Sequence, residues 1–193
     1  MKKFLIFPLL LFVLFSFSCK KDDKQQTQTV NLQTDGYTDF ASKSFQAGFI
    51  AGEEGAVTLG PVNHTFQVTH VKFLFGGGVN LVNRDIILKI YKDIGAADPG
   101  ALLFTSSYTI ASSDNVMQDI DLREDNILLV NGGSIRVSIV MTANGYPSIA
   151  RDDDGTIAET HNWIKETNGN WSTSKSFGLG GDWIIRASVE ENI

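Results

Sequence analysis

Apolar side chains recurring at every second position constrain this chain more than any other feature. Ile135, Val137, Ile139 and Met141 follow that rule, and Trp183, Ile185, Ala187 and Val189 repeat it near the end. A strand turns successive side chains to opposite faces, so each such run buries one face and wets the other. Phe45, Ala47 and Phe49 make the first face. Ile86, Leu88 and Ile90, then Leu102, Phe104, Tyr108 and Ile110, then Ile120 and Leu122 continue the series. Phe66 and Val68 alternate in one phase, whereas Val71, Phe73 and Phe75 alternate in the other. The slip predicts a β-bulge at Thr69–His70, where one strand carries an extra residue.

Turn signals separate these runs: Gly76-Gly77-Gly78, Asp98-Pro99-Gly100, Asn131-Gly132-Gly133, Asn144-Gly145, Asp154-Gly155, Asn168-Gly169 and Gly180-Gly181-Asp182. No apolar stripe at helical spacing exceeds two turns, and no repeat with a period of roughly 20–50 residues is present, which argues against a propeller or solenoid. The expected fold is all-β: an antiparallel two-sheet β-sandwich, jelly-roll or Greek-key, forming a single domain over 35–193. A chain of 193 residues leaves room for that domain and a short extension.

The extension is N-terminal. Lys2-Lys3, an apolar run from Phe4 to Phe15 interrupted by Pro8, and Ser16-Phe17-Ser18 have the anatomy of a signal peptide over 1–18. A membrane-spanning helix needs about 20 apolar residues, more than this run supplies. Residues 19–34 are dominated by Lys, Asp, Gln and Thr and read as a flexible tether, too polar to offset the entropy of ordering. Without the two leader lysines the formal charge goes from −6 to −8. Such a surface repels nucleic acid, which is not expected as a partner. With one cysteine in the chain, neither a disulfide framework nor a thiolate metal site can be built.

Cys19, directly after a small residue and followed by Lys20-Lys21-Asp22-Asp23, resembles the lipobox and charged export signal of bacterial surface lipoproteins. Ser16 stands where that box usually has leucine, with Phe17 beside it. The resemblance implies an outer-membrane lipoprotein, exposed at the cell surface, with Cys19 as the acylated (palmitate-bearing) anchor to the membrane. The alternative is an incidental thiol past an ordinary cleavage site. Ile90-Tyr91-Lys92-Asp93, Pro99-Gly100-Ala101-Leu102-Leu103 and Gly181-Asp182-Trp183-Ile184-Ile185-Arg186-Ala187 resemble non-catalytic jelly-roll accessory domains of secreted bacterial surface proteins.

Two clusters are candidate sites. Tyr146, Trp163 and Trp171 lie on or near the loops between Met141 and Phe177, where exposed aromatic rings can stack on the apolar face of a sugar. The bland alternative is core packing, which the alternation favours for Trp183. Asp152 and Asp154, with Glu159, offer the hard oxygen ligands that calcium requires, although EF-hand spacing fails. Here the alternative is a hairpin turn at Asp154-Gly155 with solvated acids.

Catalytic signatures are missing: there is no Gly-x-Ser-x-Gly elbow, no His-Glu-x-x-His and no phosphate-binding glycine loop. Glu53 with Glu54, or Asp119 with Asp121, would serve as a glycosidase pair only if spatially opposed. His64, His70 and His161 are dispersed. The expected function is a non-catalytic surface binding module for a glycan; the alternative is a structural or adhesion module that binds another surface protein.

Overall fold

The computed structural model describes residues 26–38, 43–46, 48–76, 82–112, 114–153 and 159–193. Fourteen strands are assigned among them: β1 Thr27–Leu32, β2 Lys43–Gln46, β3 Glu54–Val62, β4 Phe66–Gly76, β5 Val82–Asp93, β6 Leu102–Ser112 and β7 Met117–Asp121 in the first half. β8 Ile127–Leu129, β9 Gly133–Met141, β10 Ser148–Asp152, β11 Asn162–Lys165, β12 Trp171–Thr173, β13 Asp182–Trp183 and β14 Ile185–Asn192 follow. Three single 3-10 turns, Arg123–Asp125, Glu159–His161 and Ser174–Phe177, are the helical elements among the described residues.

The strands form two antiparallel sheets. One has the order β1-β14-β4-β10-β13, with β2 on β10 and with β7 and β8 on β4; the other is six-stranded, β12-β11-β3-β9-β5-β6. The expected β-sandwich is the fold observed. Its core is the facing set of alternating residues: Val57 and Leu59 from β3, Ile86, Leu88 and Ile90 from β5, and Ile135, Val137 and Ile139 from β9 meet Phe66, Phe73, Phe75, Ile185 and Val189. Burying each of these side chains contributes roughly 1.5–3 kcal/mol. Gly55 lets the layers close at one end. A Cβ there would lie 2.3 Å from Ile149 Cδ1 and 3.0 Å from Trp183, so a larger residue would have to displace those core side chains.

The bulge falls where the phase slips. His70 pairs with Ser188 and Val68 with Val189, which leaves Thr69 as the extra residue of β4. Its hydroxyl donates to Ser188 O at 3.0 Å, and its carbonyl accepts from Leu122 N at 2.8 Å. The Asn131-Gly132-Gly133 turn also takes the required form: Gly132 has φ of 73°, and a Cβ would come within 2.4 Å of Val62 O.

Three expectations need correction. The stretch 19–34 is not all tether, because Thr27–Leu32 is a strand that pairs residue for residue with β14, from Thr27 with Asn192 to Leu32 with Ala187. Polar composition understated it, since backbone pairing and the burial of Leu32 suffice to order a strand against an existing edge. Leu102 faces out at 50% exposure, although Phe104 and Tyr108 pack against the core. A second bulge explains this: Ile90 pairs with Phe104 but Tyr91 with Leu102, so Leu103 is inserted and the phase turns over. Lastly, β9 is buried from Ile135 through Met141 rather than at alternate positions, so its second face is covered too.

Candidate functional site

The cover over that second face is made of charged and aromatic side chains. On the outside of the six-stranded sheet, β3 presents Glu54, Ala56 and Thr58, and β9 presents Arg136 and Ser138. β5 adds Lys89, Tyr91 and Asp93, β11 adds Trp163 and Lys165, and β12 adds Trp171. Register stacks them in rows. Thr58 lies opposite Arg136, and Arg136 opposite Tyr91; Trp163 lies opposite Ala56, Ala56 opposite Ser138, and Ser138 opposite Lys89.

Two linked networks result. Glu54, almost fully buried, accepts from Lys89 Nζ at 2.6 Å and Lys165 Nζ at 3.2 Å on one oxygen. Its other oxygen accepts from Ser138 Oγ at 2.7 Å and Tyr91 Oη at 3.2 Å. Burial pushes this carboxyl upward, but the Lys89 hydrogen bond, the Ser138 hydroxyl and the two ammonium charges outweigh it and hold the group below the usual glutamate range. The Tyr91 hydroxyl is raised, first by burial and then by the adjacent Glu54 charge.

The second network centres on Arg136, which has no solvent exposure. Its Nε and Nη2 donate to Asp93 Oδ2 at 3.2 and 3.1 Å, and its Nη1 and Nη2 donate to the carbonyls of Ala97 and Ala96 at 2.6 and 2.9 Å. Its guanidinium carbon lies 4.0 Å from the centre of the Trp163 ring and 5.1 Å from that of Trp171. Burial lowers its pKa, and the Asp93 charge opposes that shift. Asp93 also accepts from Gly95 N at 2.7 Å and from the Thr58 hydroxyl, which in turn accepts from Trp163 Nε1 at 3.0 Å. Trp163 is thereby fixed by a stacked cation on its ring and a hydrogen bond at its indole nitrogen.

Beside this fixed ring opens a cleft of about 600 Å³. It is lined by Thr58 and the cis Gly60–Pro61 peptide, by Asp93–Gly95, by Gly133 and Ser134, and by Thr160, His161 and Trp163. Arg136 itself lies outside the lining. Hydroxyls, an imidazole and one aromatic side chain line a volume typical of small-ligand sites, with the Asp93 carboxylate buried behind them.

Of the aromatic residues expected to act together, Trp163 and Trp171 pack in one cluster around Arg136, and Tyr146 stands apart. Trp163 lines the cleft, while Trp171 is 8% exposed, packed edge-on to Tyr91 at 5.9 Å, and unable to present a face to a ligand. Tyr146 follows the Met141 end of β9 and does not line the cleft. It is half exposed, with Arg84 4.4 Å from its ring centre. Of the acidic cluster proposed for calcium, Asp152 is the member whose side chain is described. Asp152 is buried, accepts from Gly36 N at 2.9 Å and lies opposite Asp182, so it is not on an open loop. Asp154, the side chain of Glu159 and Cys19 lie outside the described residues. Among the described residues no three potential metal ligands converge.

Among the carboxylates considered for hydrolysis, Glu54 is held by lysines, Asp119 pairs with Lys72 at 3.5 Å, and Asp121 pairs with Arg123. Glu53 accepts from Ile50 N at 2.9 Å. Sequence reasoning missed Glu54 as a structural group, missed Asp93 and Arg136 as members of a site, and noted His161 only as one of three dispersed histidines. The strand pattern marks the first three only as polar positions on an outer face.

No family model matches the chain, and no curated protein matches it. Among solved structures it is similar to infectious bursal disease virus Gx strain, at 12% identity and a TM-score of 0.34, covering 86% of this chain and 33% of that one. It is also similar to the Gt strain of that virus, at 11% identity and a TM-score of 0.31, covering 87% of this chain and 42% of that one. The VP2 subviral particle of the same virus gives 12% identity and a TM-score of 0.30, with 89% of this chain and 42% of that one covered. The chain thus spans well under half the length of these proteins.

Proposed function

We propose that this protein is a non-catalytic binding module of the bacterial cell surface, held to the outer membrane through Cys19, that takes a glycan in the cleft beside Trp163. The observation that carries the reading is the immobilised indole at the edge of a polar cleft. A sugar ring offers an apolar face for stacking and hydroxyls for hydrogen bonds, and the cleft offers Trp163 with His161, Thr160 and Ser134. A ring already fixed by Arg136 and Thr58 loses little further freedom when a ligand arrives, which favours affinity.

The test is a glycan-binding screen of the purified protein with Trp163→Ala and His161→Ala. Both substitutions are expected to weaken binding at least tenfold, whereas Tyr146→Ala leaves it unchanged. A folded protein that binds no glycan, or one whose binding ignores both substitutions, overturns the proposal. The anchor is tested separately: Cys19→Ala is expected to move the protein from the membrane to the soluble fraction. Calcium belongs to the proposal only through Asp154 and Glu159. A melting temperature that rises with calcium and falls with chelator supports it, and an unchanged melt removes it.

Adhesion to another surface protein is the second reading. Ile94 and Leu102, 61% and 50% exposed, lie on neighbouring segments next to the cleft and favour it.

A further inference from the structure

The six-stranded sheet ends on β6, and this edge differs from the others in the molecule. β6 is eleven residues long and pairs with β5 on one side; among the described residues nothing pairs with its other side. β12, at the opposite edge of the same sheet, has three residues, and the other sheet ends on β13, with two, and on β1, which is also uncharged but has six. Long open edges are normally guarded by charge, by proline or by covering loops, because their free N–H and C=O groups recruit further strands. β6 reads Leu-Leu-Phe-Thr-Ser-Ser-Tyr-Thr-Ile-Ala-Ser, with no charge and no proline, in a chain that is 20% charged.

Beyond the bulge at Leu103, the segment 104–110 also matches itself when reversed. Phe104, Ser106, Tyr108 and Ile110 lie opposite Ile90, Leu88, Ile86 and Arg84 and so share the core side; Thr105, Ser107 and Thr109 lie on the outer side, all exposed. A two-fold axis through Ser107 keeps each face on its own side. It sets Ser107 against Ser107 and Thr105 against Thr109 outside, with Phe104 against Ile110 and Ser106 against Tyr108 inside. Hydroxyl–hydroxyl and aromatic–β-branched pairs of this kind are among the favourable cross-strand combinations, and no like charges meet. An isologous contact of this form closes after two copies.

We propose that β6 is a self-association edge: two copies of this chain join antiparallel about Ser107, continuing the two six-stranded sheets into one of twelve strands. The proposal is independent of what the Trp163 cleft binds.

Cysteine cross-linking of the full chain in detergent tests it, with Cys19→Ala so that each introduced thiol is unique. Directly opposed strand residues have Cα atoms about 4.5–5.5 Å apart, within disulfide reach. Ser107→Cys is therefore expected to give a disulfide-linked dimer on oxidation. Thr105→Cys alone is expected to give none, because its own mate lies on the order of 14 Å away, while a mixture of Thr105→Cys and Thr109→Cys restores the link. Ser107→Lys, at an exposed position, is expected to halve the mass measured by sedimentation while leaving the circular dichroism spectrum of the folded β protein unchanged, and Ser107→Thr to preserve the dimer. Equal linking at 105 and 107, a monomeric mass for the unsubstituted chain, or a Ser107→Cys product joined to a different protein would each overturn the proposal.

Discussion

The outer faces of the two sheets are covered in different ways. On the larger sheet the segment before β2 crosses the strands: Tyr37 packs with Leu74, Ala150 and Ile184 in a small apolar cluster. Arg186 straps the segment down through Asp35 and through Tyr37 O at 2.7 Å. On the six-stranded sheet most of the cover comes from the strands' own side chains, and the buried groups include Glu54, Asp93 and Arg136. Apolar packing tolerates substitutions that conserve volume. A buried ionic network does not, because removing one member strands the others without water or partner. The apolar cluster under Tyr37 is therefore the more forgiving cover, the buried Asp35 held by Arg186 excepted, and the candidate site is built on the demanding one.

The largest effect that separates the faces is expected at Arg136. Arg136→Met leaves Asp93 buried without its cation and two carbonyls without donors, for a loss of about 3–5 kcal/mol in denaturant unfolding. Arg136→Lys should recover little, since an ammonium cannot donate to Asp93, Ala96 and Ala97 while stacking on Trp163. A loss below about 1 kcal/mol would put the network in the same class as an exposed pair and end the comparison.

Glu54→Gln comes next, at roughly 2–3 kcal/mol, because two ammonium groups and two hydroxyls lose their anion. It also carries a pH signature. The folded carboxyl is held below its ordinary value, so its contribution is complete above that ordinary value and is lost as pH falls through the lower folded one. The unsubstituted protein should therefore lose stability faster than Glu54→Gln on the acid side, and parallel acid limbs would show that Glu54 is not the group responsible.

Smaller effects are expected on the larger sheet. Leu74→Met, in the apolar cluster, should cost less than about 1.5 kcal/mol. Lys72→Met, which removes the exposed pair with Asp119, should fall between about 0 and 1 kcal/mol. A Leu74→Met loss as large as that at Arg136 would mean that the apolar cover is as exacting as the ionic one.

What was legible in the sequence follows the same division. Period-two alternation located the core-facing residues of β4, β5, β9 and β14, and the phase slip at Thr69–His70 marked a bulge, because both signals are local. The ionic cover was not legible. Arg136 and Ser138 interrupt Ile135, Val137 and Ile139 in the manner of solvated outer positions. Their partners Asp93 and Glu54 lie 43 and 84 residues away, so nothing nearby in the chain announces the pairing. Leu102 misled for a related reason, since the inserted Leu103 changes the face without changing composition. Trp171 looked like a loop aromatic, yet pairing with β11 folds it onto Tyr91.

The pairing of β1 with β14 also limits reach. With Thr27–Leu32 held in the sheet, and Ile193 N donating to Gln26 O at 2.9 Å, the sequence leaves six residues, 20–25, between the proposed anchor Cys19 and the paired chain rather than the fifteen residues 20–34. At no more than about 3.5 Å per residue, six residues reach at most roughly 21 Å, under half of what the longer leash would allow. The chain enters at the pole where Asn131 N meets the Thr65 hydroxyl, and Gly60 and Gly133 of the cleft lie toward that same pole. An anchored copy would accordingly sample a thin layer above the lipid headgroups, with its cleft near the base of that layer, and would meet polymers lying along the membrane sooner than those projecting far beyond it.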